Sequence, residues 1–147
     1  MSIDLLTQTS TLSIFHDKHN SWLYLDWHGD LTLQVVQENC LMTAHCFLTQ
    51  NCSRILNDNT NVTSITPDVG IWLATEYLPH IAAAGVEHMA WVHSSNIDTQ
   101  SCTDVALHNL LSPVIALFND LASAYTWLCV VKFKAPALAI RSAKIAC

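Results

Sequence analysis

The sequence predicts an α/β fold: a mixed β-sheet, an N-terminal hairpin with later strands parallel, and about four packed helices. Three observations carry that prediction. Residues 11–16 and 21–27 alternate apolar and polar side chains on either side of a polar turn, Asp17-Lys18-His19-Asn20. From Leu31 onward apolar residues recur at three- and four-residue steps, the period of a helix face. Residues 86–93 are apolar on both faces, as in a strand buried in the middle of a helix-covered sheet.

Taken in order, the hairpin comes first, with Trp22, Tyr24 and Asp26 on one face and Leu23, Leu25 and Trp27 on the other. Gly29 is expected to break the strand, and Asp30 to cap the helix that follows. That helix, about 18 residues long, gathers Val35, Val36, Cys40, Leu41, Ala44, Phe47 and Leu48 on one face. Residues 53–57 read as a short strand ending in the polar loop Asn57-Asp58-Asn59-Thr60-Asn61. Thr66-Pro67-Asp68 starts a second helix, with Thr66 as cap and Asp68 at the positive end of its dipole. Pro79 should kink or end its first part, and Gly85 should close it. After residues 86–93 come a short helix over 103–111, a buried strand over 114–118, and a last helix capped by Asn119. The predicted order is β-β-α-β-α-β-α-β-α. Residues 11–129 form the predicted domain, after an extension over 1–10 and before a basic tail over 130–147.

Composition narrows the function. Only 12% of the 147 residues are charged, about half the usual share of roughly 25%, so part of the surface must be apolar or neutral. A partner or homodimer interface would use such a surface. Net charge is −6, and four of the six basic residues (Lys132, Lys134, Arg141, Lys144) lie in the tail. Residues 1–131 therefore offer Lys18 and Arg54 against twelve acids, which argues against a nucleic-acid partner. Residues 1–6 lack the features of a secretory signal, and the apolar runs are too short to span a membrane, so a cytoplasmic location is expected. There the six scattered cysteines read as free thiols.

Chemistry is sparse. The eight histidines include no pair spaced to nucleate a zinc site, so neither metal nor cofactor is expected. Phosphate-binding glycine loops and nucleophile-elbow motifs are missing from the sequence. Asp26, Asp30 and Asp58 could serve as general acids or bases, although each also suits a strand end, cap or turn. Trp22 and Tyr24 share a hairpin face and are the candidate exposed aromatic contact.

Three phrases carry a family resemblance. These are residues 54–62, Arg-Ile-Leu-Asn-Asp-Asn-Thr-Asn-Val; Ala90-Trp91-Val92; and Phe118-Asn119-Asp120 followed by Ala124 and Trp127-Leu128. Together they resemble small bacterial STAS-like proteins, related in fold to anti-sigma factor antagonists, over about residues 11–128. The resemblance implies a non-enzymatic regulatory domain that binds a protein partner. It also implies a switch at a Ser or Thr beside a helix start, which points to Asp58, Asn59, Thr60 and Thr66. The usual Asp-Ser-Ser-Gly-like signature is absent there. The expected function is a protein-interaction or regulatory module. A carrier of a small apolar ligand or lipid, and an enzyme with dispersed His and Asp residues, are the alternatives.

Overall fold

The computed structural model describes residues 2–96, 107 and 112–131. Six strands form one sheet in chain order: β1 (Ile3–Gln8), β2 (Leu12–Asp17), β3 (Trp22–Leu31), β4 (Arg54–Ile65), β5 (His88–Val92) and β6 (Val114–Phe118). The first three pair antiparallel and the last four run parallel, so the sheet is mixed as predicted. Ile3–Gln8, expected as an extension, is an edge strand paired with β2.

Helix α1 (Leu33–Gln50) links β3 to β4. A second helical body links β4 to β5, as α2 (Pro67–Trp72), a π-helical turn (Leu73–Tyr77) and α3 (Leu78–Ala83). The wide turn directly precedes Pro79, which has no N–H to give to Thr75 and whose ring would crowd that carbonyl. The chain thus widens where a kink was expected. Helix α4 (residues 121–131) follows β6. Three helical bodies are therefore seen among the described residues, against the expected four. The predicted helix over 103–111 falls outside them except for helical Leu107, and the tail beyond residue 131 lies outside them entirely.

The helices divide between the two faces of the sheet. On the first, α1 and the α2–α3 body cover Leu12, Ile14, Leu23, Leu25, Trp27, Ile55, Met89 and Trp91. On the second, α4 sets Ala124 and Leu128 against Trp22, Leu56, Ala90 and Val92. β5 is an inner strand, with Met89, Ala90, Trp91 and Val92 all buried. β6, predicted as buried, is an edge strand with Val114 and Leu117 exposed.

Several local expectations are corrected. β3 does not stop at Gly29: the glycine takes φ +83° at a shift in register with β4, and the strand continues to Leu31. Thr32, and not Asp30, caps α1, its hydroxyl accepting the Val35 N–H. Asp120, and not Asn119, accepts the Ser123 N–H at the start of α4. Leu41 and Leu48 were placed on the buried face of α1, yet they are 74% and 66% exposed. That face is completed by the buried Asn39, Thr43 and Cys46.

Candidate functional site

The largest departure from expectation lies at the centre of the predicted site. Asn57-Asp58-Asn59-Thr60-Asn61 is not a loop. It lies inside β4, with Asn57, Asp58 and Asn59 each about 95% buried. The segment reads as a turn because its residues favour turns. Its polar groups can be buried because neighbouring strands supply partners.

Alternation along β4 sends Asn57 and Asn59 to the first face and Asp58 to the second. On the first face, the Trp27 indole N–H donates to Asn57 Oδ1 at 2.9 Å. On the second, the Tyr24 hydroxyl donates to Asp58 Oδ2 at 3.0 Å. The Thr60 amide and hydroxyl donate to Asp58 Oδ1 at 3.0 and 2.5 Å. The two groups of residues singled out from the sequence, the presumed switch loop and the aromatic pair, thus meet through Tyr24 and Asp58. Trp22 does not join them as an exposed contact. It is 1% exposed, edge-on to Tyr125 of α4, with the Arg54 guanidinium over its ring.

Asp26 completes the cluster, and sequence reading did not join it to Asp58. The two are register partners on parallel strands, which sets their carboxylates on one face. Burial, and then the Asp58 charge, raise the Asp26 carboxyl above its ordinary range, while His28 and Asn61 pull it back. Burial also raises the Tyr24 phenol, helped by both aspartates, so it stays a donor at neutral pH. Phe15 stacks on Tyr24 at 5.6 Å and walls the cluster on the β2 side. Asp58 receives hydrogen bonds at both oxygens from within the cluster.

Thr66 sits at the start of α2 as predicted, but its hydroxyl donates to Asp68 at 2.5 Å and makes no capping bond. A phosphate on Thr66 would meet that carboxylate at close range. Thr63 and Ser64 both donate to Asp30, whose carboxyl they hold below its usual range. Among the described residues, no three His, Cys, Asp or Glu side chains are grouped to hold a metal. No helix among them is long and apolar enough to cross a membrane.

The helical layer carries the other surface feature. α1 has a single charged side chain, Glu38, in 18 residues. Leu41 and Leu48 stand on its outer side, and Ile71 of α2 is 65% exposed. Beside Leu41 runs a groove of about 450 Å³ between α1 and the π-helical turn, lined by Gln37, Ala44, Trp72, Glu76 and His80 among others. Trp72 and Tyr77 stack there at 5.6 Å.

No protein-family model matches the sequence, and no curated protein matches it. Among solved structures, the chain is similar to an uncharacterised protein of the DUF3478 family from Shewanella loihica, described as having a SpoIIAA-like fold. The TM-score is 0.51 at 15% identity, over 87% of this chain and 93% of that one. The fold is therefore SpoIIAA-like, in agreement with the STAS-like resemblance. At that identity the likeness concerns the fold alone.

Proposed function

We propose that this chain is a non-catalytic protein-interaction or regulatory module. Its contact surface in this reading is the outer side of α1 with the adjoining groove. One observation carries the proposal: a helix with one charge exposes Leu41 and Leu48, one above the other at a seven-residue step, away from the core. Exposed apolar rows on an otherwise sheet-packed helix mark places where another surface docks. The groove beside Leu41 gives such a partner an apolar floor with Glu76 and His80 at its rim.

The Tyr24–Asp58–Thr60 network supports a structural role better than catalysis. Both oxygens of Asp58 are engaged by groups of the same chain. The carrier alternative draws little from the interior. The cavity between sheet and helices is about 30 Å³, well below the roughly 300–1,000 Å³ of typical ligand sites.

The test compares the full chain with Leu41→Glu/Leu48→Glu. Both positions are exposed, so the variant should melt within a few degrees of wild type. Wild type should self-associate in sedimentation, or retain a defined partner from its source cells at stoichiometric yield, and the variant should do neither. Equal behaviour of the two proteins would overturn this choice of surface. Turnover in an unbiased substrate screen, lost in Asp26→Asn, would overturn the non-catalytic reading.

A further inference from the structure

The first face of the sheet holds two buried hydrogen-bond donors with no acceptor among the described residues. Trp27 can only donate, so its bond fixes the Oδ1 end of Asn57 and turns the NH2 end away from the indole. Neither that Nδ2 nor the Nδ2 of Asn59 has an acceptor among the described residues, and both residues are 4% exposed. An unsatisfied buried amide costs about 1–3 kcal/mol, and two such groups stand two residues apart on one strand. Both line the same cavity, about 30 Å³, whose other walls include Leu25, Val36, Leu73, Met89 and Trp91.

We propose that this cavity is a binding site for a small neutral molecule presenting an acceptor oxygen to the Asn57 and Asn59 amides. Its volume decides the size. A water needs roughly 10–15 Å³ by this measure, so there is room for two waters or for one molecule of a few heavy atoms. The lining decides the charge. No Lys, Arg or His side chain is among its walls, and an ionised carboxylate placed there would lose its hydration without a counter-charge. A hydroxyl, a carbonyl or water fits, and a metal cation does not, because amide NH2 groups are donors. Two further polar walls, Cys40 and Tyr77, lie close enough to perturb each other's titration. That pair also lines the outer groove, so it forms the partition between groove and cavity. The inference is independent of the partner surface proposed for α1.

The test is side-chain amide NMR on the full chain, with water, acetone and acetate as probes. In buffer alone, the Asn57 and Asn59 amides should show cross-relaxation to long-lived water. Acetone should then shift those two amides saturably and suppress the water signal, while acetate at equal concentration should not. Asn59→Leu should weaken the acetone response at least tenfold and keep the fold. Persistence of the water signal under saturating acetone would assign the site to water alone within the same acceptor chemistry. Amides that neither contact water nor respond to acetone would overturn the proposal, as would acetate binding as well as acetone. The wild-type titration stands whether or not the leucine variant folds.

Discussion

The two faces of the sheet solve burial in opposite ways. The first is sealed by α1 and the α2–α3 body, and its polar groups are amide donors in excess, Asn57 and Asn59 among aromatic and aliphatic walls. The second is covered by α4 over Trp22, Leu56 and Ala90, and beyond that cover it carries acceptors in excess, Asp26 beside Asp58. Hydroxyls from Tyr24 and Thr60 answer Asp58 from within the chain, whereas Asp26 Oδ1 on the same face, like the two amide donors on the first, has no partner among the described residues. One strand, β4, serves both faces by alternation. Partners reach some of the polar groups of this central strand and leave others unanswered among the described residues.

Four substitutions would sharpen or break that contrast. The largest effect is expected at Arg54, which fastens α4 to the second face. Its guanidinium donates to the carbonyls of Leu128 at 2.9 Å and of Asn20, above the Trp22 ring. Arg54→Met should cost about 3 kcal/mol in urea denaturation, because one buried and one half-buried carbonyl lose their donor. A loss under 1 kcal/mol would show that α4 is held by its apolar contacts alone. Next comes Tyr24→Phe, expected to cost about 1–2 kcal/mol by taking a donor from the carboxylate of Asp58. An unchanged midpoint would mean that Thr60 alone suffices. Gly29→Ala should cost about 1 kcal/mol through its positive φ, since the nearest side-chain atom to a new Cβ, from Thr11, is an ordinary 4.0 Å away.

The smallest effect has the most diagnostic sign. Asp26 has a raised carboxyl pKa in the folded chain, through burial and the Asp58 charge. Its contribution to stability is therefore fully present below the unfolded value, near 3.8, and is lost as pH rises through the raised folded value. At neutral pH the ionised Asp26 carboxylate opposes folding through its burial and the Asp58 charge, so Asp26→Asn should stabilise by ~0.5 kcal/mol after solvent screening. That gain should shrink toward pH 4. A destabilised variant at pH 7 would mean that the charge is answered by a group not described here, and the contrast between the faces would fail.

Much of this was legible in the residues. The alternation around Asp17–Asn20 located β2 and the start of β3, and the double apolarity of Met89–Val92 placed β5 inside the sheet. The candidate site was legible only in fragments. Tyr24, Asp58 and Thr60 were each picked out, but their meeting depends on a register between strands about 30 residues apart, which local pattern does not encode. Asp26 went unpaired for the same reason. Asn57–Asn61 reads as a loop because five polar residues in a row match turn statistics, whereas Trp27, Tyr24 and Thr60 supply donors to Asn57 and Asp58 inside the strand.

By itself, the sequence determined the order of most helices and strands and which strand is greasy on both sides, because periodicity acts over a few residues. Tertiary structure alone decided which polar groups were satisfied and which were stranded, and that Leu41 and Leu48 face outward. Those outcomes depend on which elements become neighbours, and neighbours across a sheet are chosen by the packing of the whole chain.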